Sequence, residues 1–371
     1  MLKTKGLEGV VATTSSVSSI IESALTYQGY DIDDLAEHAS FEEVIYLLWN
    51  ERLPSQLELT HHTKQLTSNM AVSTELINQM KSLPVNNIHP MAFLRTIISS
   101  LGLYDNDADN ESLEANQQKA IRIQAKIPTI VAAFSRIRDG KKPVSPKSDL
   151  CFAGNFLYML NEEIPDKVSI KAFNKALVLH ADHELNASTF TARVCVATLS
   201  DIYSGITAAI GALKGPLHGG ANEAVMAMLM DIGDAANVEN YIQNLLADKK
   251  KIMGFGHRVY KDGDPRAKHL KEMSKQLSMI TGENKWYDMS VKIDEIVTAE
   301  KGLLPNVDFY SASVYHSLGI KHDLFTPIFA ISRTSGWIAH ILEQYKNNRL
   351  IRPRAEYVGP SKQTYKPINK R

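Results

Sequence analysis

GFGHRVYKDGDPR, residues 254–266, is the stretch on which the fold turns. Its paired glycines suggest half of a dinucleotide-binding loop. Such a loop needs G-x-G-x-x-G spacing, a strand before it and a helix after it within a βαβ unit. Here KKKIM precedes the glycines and the third glycine is missing. Alternating strand and helix signals are also absent around it, so the segment does not open a Rossmann sheet. It remains to be read as a phosphate holder, a chemical site or a turn in another kind of fold.

Working outward, that fold is mainly α. Ser40-Phe41-Glu42-Glu43 is a capping-box pattern opening VIYLLWNERL, which should stop at Pro54, and Ser55-Gln56-Leu57-Glu58 offers a second box. Pro90 suits the first position of MAFLRTIISSL, with Gly102 at its end. The segment EANQQKAIRIQAKIPTIVAAFSRIRDG carries Ile121, Ile130, Val131 and Phe134, should kink at Pro128 and should end at Gly140. SIKAFNKALVLH keeps the same 3.6-residue rhythm. Strand signals are confined to a short N-terminal β-hairpin region, where VVATTSSVS and LTYQGYDI could pair. KKPVSPKSD (141–149) reads as a surface linker. Gly205 and Gly211 suit close helix packing, and Gly215, Gly219 and Gly220 suit a hinge or a ligand approach.

Composition narrows the partners. With 371 residues, 44% hydrophobic and 22% charged, the chain has room for one large domain or two ordinary ones. Lys plus Arg and Asp plus Glu both number 41, so no general attraction to nucleic acid or an anionic membrane is expected. Cys151 and Cys195 read as buried free thiols. MLKTKGLEGVVATTSSVSSII lacks the apolar run of a leader, and no stretch reaches the roughly 18 apolar residues of a membrane span, so a cytoplasmic location is expected.

Several side chains could carry chemistry. His61 and His62 read as a solvated helix face, and His340 as a helical residue near a partner face. His257 is approached by glycines that leave room for a ligand. His218, in GPLHGGANEAV, precedes an apolar helical run whose positive end should favour neutral imidazole. In HADHELNAS, His180 and His183 could share a helical face toward a metal, but no second ligand pair follows, and a helix end is the stronger reading. Asp308, in LLPNVDFYSASVYHSLG, is either a first-turn aspartate or a base on a rigid support. Arg266, Arg333 and Arg352 are surface residues if isolated and dicarboxylate holders if they converge.

Taken together, GPLHGGANEAV, GFGHRVYKDGDPRAK and PNVDFYSASVY, in that order, resemble the three catalytic segments of citrate synthase, and HADHELNAS with ISR…IRPR extends the likeness over nearly the whole chain. The resemblance is to the compact dimeric type. It implies an all-α, two-domain homodimer with a large domain at 1–218 plus 326–371 and a mobile small domain at 219–325. The implied reaction, a step of the tricarboxylic acid cycle, condenses acetyl-coenzyme A with oxaloacetate and hydrolyses the thioester. No permanent cofactor or metal is implied. By the same resemblance, Asp308 is the base, His218 donates to the thioester oxygen and His257 to the oxaloacetate carbonyl. His183, Arg266 and Arg333 bind oxaloacetate, Arg352 comes from the second subunit, and Phe329 lines the pocket. Gly254 and Gly256 would let coenzyme A lie against the main chain, and Lys261 would meet one of its phosphates. 2-Methylcitrate synthase, which uses propionyl-coenzyme A, and a non-catalytic sensor of acyl-coenzyme A or dicarboxylates are the rival readings.

Overall fold

The capping signals form as their chemistry requires. Ser40 and Ser55 both accept from the N–H three residues on while Glu43 and Glu58 reach back to the cap N–H groups, opening the helices Phe41–Asn50 and Gln56–Asn69. The first helix ends at Asn50 rather than at Pro54, because Glu51 turns left-handed at φ 61°. Pro90 starts the helix Pro90–Leu101, with Gly102 as its cap. Pro128 lies inside the helix Leu113–Arg138 without ending it, and Gly140 leaves that helix at φ 70°. The computed structural model describes residues 5–7, 9–257 and 259–371, so part of the stretch read as lacking a leader lies outside the described residues.

Among the described residues there are sixteen α-helices and one three-stranded antiparallel sheet. The strands are Ser18–Ile21, Ala24–Tyr27 and Tyr30–Asp31, with Ser18 opposite Tyr27 and Tyr27 opposite Tyr30. This corrects the expected pairing. VVATTSSVS contributes only its last residue to a strand, and LTYQGYDI folds back on itself. Both two-residue turns put consecutive residues at positive φ, Glu22 with Ser23 and Gln28 with Gly29, which matches the twist of paired strands. The sheet clamps the chain beyond the helix Lys167–His180. Ser18 Oγ donates to Asp182 Oδ2 at 2.5 Å, Ile20 N–H donates to Glu184 Oε1 at 2.8 Å, and Tyr27 Oη donates to Asp182 O at 3.2 Å.

The helix Phe325–Lys346 runs through the core with Trp337 fully buried. Gly336 lets it touch the clamped segment, since a Cβ there would lie 2.3 Å from Asp182 Oδ1. Gly205 serves the same purpose against Val196, at 2.6 Å, whereas a Cβ on Gly211 meets only the Arg95 side chain at 3.7 Å. The helices Ala221–Ile232, Val238–Ala247, Pro265–Thr281, Lys285–Lys301 and Val307–Ser317 pack chiefly on one another. Residues 141–149 form an irregular loop between two helices that pack together, so they link elements of one unit.

Three expectations about single residues change. His62 is buried beneath the edges of Tyr46 and Trp49 rather than solvated, and burial lowers its imidazole pKa to about 4. His340 lies wholly inside the chain, accepting from Arg193 at 3.0 Å and bonding Asp182 Oδ2 at 3.2 Å. The cysteines are free, but Cys151 is exposed and Cys195 partly so. Cys151 occupies the N-cap of the helix Phe152–Asn161, where its sulfur accepts from Gly154 N–H at 3.4 Å.

Candidate active site

His183 follows the clamped segment, past the end of the helix at His180, so the two histidines share no helical face. Among the described residues no group of three metal-ligating side chains is assembled. The His183 Nε2 lies 3.1 Å from the Tyr260 hydroxyl. Burial, and then the Arg266 and Arg333 charges, hold its pKa well below the usual value.

His218 sits in the turn between the helices Ile202–Leu213 and Ala221–Ile232. Its Nε2 accepts from the N–H of Ser188 at 3.2 Å and lies 2.7 Å from the Ser188 hydroxyl. The proton of the neutral ring therefore sits on Nδ1. Burial, reinforced by the Arg333 charge, lowers the pKa to about 4. The reading of a neutral histidine at a helix start thus needs a different cause. The helix end involved is that of Ala187–Val196, which supplies the capping N–H, not the helix that follows His218.

The opposite tautomer forms at His257. Its Nδ1 accepts from the N–H groups of Val259 at 3.0 Å and Tyr260 at 3.2 Å, leaving the proton on Nε2. Burial and then the Arg266 charge lower its pKa. Two imidazoles are thus each locked on one nitrogen by main-chain donors and each keep one N–H to give.

Asp308 is the second residue of the helix Val307–Ser317, its N–H donating to the Asn306 side chain at 3.0 Å. Its partly buried carboxyl has no hydrogen-bond partner among the described residues, and burial raises its pKa to about 6 although Arg266 opposes this. The helix start favours the anion, but burial outweighs it.

Arg266 and Arg333 are both 2% exposed. Asp264 holds the first in a fork, with Nε and Nη2 each donating at 2.8 Å, and its Oδ2 also accepts from Val307 N–H at 3.0 Å. One carboxylate therefore fixes the arginine and the start of the helix bearing Asp308. Against the upward pull of burial, the Arg266 charge keeps Asp264 below the usual carboxylate range. Arg333 has no carboxylate within ion-pair distance among the described residues. Its Nε donates to His180 O at 2.8 Å and its guanidinium lies 4.5 Å from the Phe329 ring centre. Burial lowers its pKa to about 10. A buried cation with no carboxylate paired to it among the described residues calls for an anionic ligand.

His183, His218, His257, Arg266, Asp308, Phe329 and Arg333 all line one cavity of about 950 Å³. The remaining candidates are elsewhere. Arg352 and Lys261 are exposed and do not line it. Gly254 and Gly256 also lie off its wall, at φ 83° and 73°. A Cβ on Gly254 would stand 2.8 Å from both Phe309 and Val225. Here the glycines let residues 254–256 zip against 304–306: Gly256 N–H donates to Leu304 O and Asn306 N–H to Gly254 O, each at 2.9 Å. That zip joins the His257 loop to the Asp308 helix. Gly219 likewise answers a packing need, since a Cβ there would lie 2.1 Å from Leu213 O. Sequence reading missed Asp264, Tyr260, Ser188 and Asn306. Asp264 and Asn306, N-cap residue types directly ahead of a helix, carried a local signal.

The family model for the C-terminal domain of citrate synthase matches residues 6–354. Citrate synthase 2 of Bacillus subtilis is 70% identical over all of both chains, and citrate synthase of Haloferax volcanii 50% identical over 99% of this chain and 98% of its own. A 2-methylcitrate synthase of Mycobacterium tuberculosis stands lower, at 44% over 96% and 90%. The solved ternary complex of carboxymethyl coenzyme A and oxaloacetate with citrate synthase from Thermoplasma acidophilum superposes with a TM-score of 0.91, at 36% identity, over 98% of each chain. On these matches and this site, the chain belongs to the citrate synthase family of acyltransferase enzymes.

Proposed function

We propose that the cavity condenses acetyl-coenzyme A with oxaloacetate and then hydrolyses the thioester, giving citrate and free coenzyme A. One observation carries the assignment of roles: two neutral imidazoles with opposite tautomers share a cavity with a carboxylate of raised pKa and two buried arginines. Arg266 and Arg333 take the two carboxylates of oxaloacetate. The Nε2–H of His257 donates to the ketone oxygen, drawing electrons from its carbon. Asp308 removes a methyl proton from the acetyl group, the electron pair forms the enol, and the Nδ1–H of His218 stabilises the thioester oxygen. The enol carbon then bonds the ketone carbon, whose oxygen takes up a proton, and water cleaves the thioester.

The energetics explain why the base does not work alone. Each unit of pKa mismatch between carbon acid and carboxylate costs about 1.4 kcal/mol. Raising Asp308 to about 6 removes a small part of a gap of many units. The pre-aimed N–H groups must supply much of the rest, and each oriented acid–base group is worth roughly 10²–10⁴-fold.

The same reading takes the chain as a homodimer whose exposed C-terminal segment, residues 352–371, carries Arg352 into the partner's site. Residues 219–325 then close on 1–218 plus 326–371 once oxaloacetate is bound, which excludes water during enol formation. It calls for no resident cofactor or metal and places the enzyme in the cytoplasm. No helix among the described residues is long and apolar enough to cross a membrane. The test is thiol release from acetyl-coenzyme A with and without oxaloacetate, repeated with propionyl-coenzyme A. Release that depends on oxaloacetate and favours the acetyl donor is expected. Oxaloacetate-independent release in a folded sample overturns the reading, and preference for the propionyl donor moves it to 2-methylcitrate synthesis.

A further inference from the structure

We infer that Tyr260 is a positioning residue for oxaloacetate, fixing the tautomers of His183 and His257 through two different parts of itself. The inference rests on the role proposed for His257 and on the oxaloacetate-binding role that the resemblance implies for His183. Tyr260 is 3% exposed and stands among three groups that line the cavity, His183, His257 and Arg266. Its main-chain N–H donates to His257 Nδ1 at 3.2 Å. Its ring lies against the His257 ring, with centres 4.5 Å apart and planes inclined by 38°. The Arg266 guanidinium is 6.0 Å from the ring centre. Its hydroxyl, 3.1 Å from His183 Nε2, has no other hydrogen-bond partner among the described residues.

That last contact decides the proton's place. A buried O–H must donate or remain unsatisfied. The acceptor within reach is His183 Nε2, so the phenol gives its proton to that nitrogen and the ring carries its own proton on Nδ1. Burial raises the phenol's pKa, so the donor stays protonated across the working range. The His183 and His257 rings meet edge to face, with centres 5.3 Å apart. Tyr260 therefore couples their orientations while giving them opposite tautomers. Ionisation of either ring would place a third positive charge beside Arg266 and Arg333.

Tyr260→Phe isolates the hydroxyl, because the ring and the main-chain donor to His257 remain. The experiment combines steady-state kinetics with nitrogen-15 spectra of histidine-labelled protein, His183 being assigned by its absence from the spectrum of His183→Gln. In the parent, His183 is expected as the Nδ1–H form and His257 as the Nε2–H form. In Tyr260→Phe, His183 should become a mixture of tautomers while His257 is unchanged. KM for oxaloacetate should rise about three- to tenfold, the range for one lost hydrogen bond. The value of kcat should stay within about twofold, and KM for acetyl-coenzyme A should not move. Tyr260→Ala should also disturb His257 and lower kcat. An Nε2–H signal for His183 in the parent overturns the inference by itself, as does an unchanged KM for oxaloacetate in folded Tyr260→Phe. Absence of oxaloacetate-dependent turnover in the parent would strike the functional reading instead, with the spectra still readable.

Discussion

Arg333 should be a liability in the empty protein and a necessity in the working one. The guanidinium is buried without a carboxylate at ion-pair distance among the described residues, and burial brings its pKa from 12.5 to about 10. At neutral pH it is charged in both the folded and unfolded chain, so the full penalty applies. At about 1.4 kcal/mol per pKa unit, holding that charge in the unliganded cleft costs on the order of 3 kcal/mol. Arg333→Met keeps an unbranched side chain of similar reach and removes the charge. It also forfeits the stacking on Phe329, worth about 1 kcal/mol, and leaves His180 O short of a donor. The net expectation is a ligand-free protein about 1–2 kcal/mol more stable, in line with other buried charges replaced by apolar groups. Oxaloacetate should raise the melting temperature of the parent, because binding adds to native-state stability, and should barely move that of the variant. Because the variant loses a buried contact to a carboxylate, kcat/KM for oxaloacetate should fall at least about a hundredfold. Thermal melts with and without oxaloacetate, alongside initial rates, read all three quantities. A variant that is less stable than the parent yet keeps the oxaloacetate shift would refute the reasoning.

Asp308→Asn should abolish turnover while sparing oxaloacetate affinity. The folded carboxyl pKa of about 6 lies above the ordinary aspartate value, so its ionisation weakens the fold as pH rises from about 4 to 6. The variant should therefore be more stable by up to about 3 kcal/mol above pH 6 and equal to the parent below about pH 4, as melts across that range would reveal. In the parent, kcat/KM for acetyl-coenzyme A should drop as pH falls through about 6. For Arg352, mixing inactive Asp308→Ala and Arg352→Ala proteins and allowing subunits to exchange should restore activity through one intact site per mixed dimer. No recovery after verified exchange would mean that the arginine acts within its own chain, and an Arg352→Ala protein active by itself would mean that it does not act at all. Gly219→Ala should lower the melting temperature whether or not ligand is present, because its Cβ meets Leu213 O. A normal melt with impaired oxaloacetate-driven compaction in small-angle scattering would point to a hinge role instead.

What was legible in the sequence was local or periodic. The two serine capping boxes, Pro90 and Gly140 state their structure within four residues, and the helical rhythm of the core follows from burial on one face. Asp308 was readable as a first-turn residue for the same reason. The N-terminal strands were misplaced because residues 10–14 have strand-like composition but no partner strand, and pairing is a property of two segments. His62 looked solvated because its helix has a weak apolar stripe, while Tyr46 and Trp49 cover it from another helix. Asp264, Ser188 and Asn306 escaped notice because their work is done across loops: a fork to Arg266, an N–H for His218, and a clasp between 256 and 308. The paired glycines of the opening stretch were visible as special, but the reason for Gly254, a tight fit against Phe309 and Val225, exists only in the fold.

The central claim is a division of labour, with Asp308 and His218 making the enol and His257 activating its acceptor. Proton exchange at the acetyl methyl group in deuterated water separates the two halves. With oxaloacetate bound, His257→Ala should incorporate deuterium into acetyl-coenzyme A while releasing almost no thiol, and Asp308→Ala should do neither. Methyl exchange that persists without the Asp308 carboxylate, or that vanishes with loss of the His257 imidazole in a protein still binding both substrates, would contradict the account.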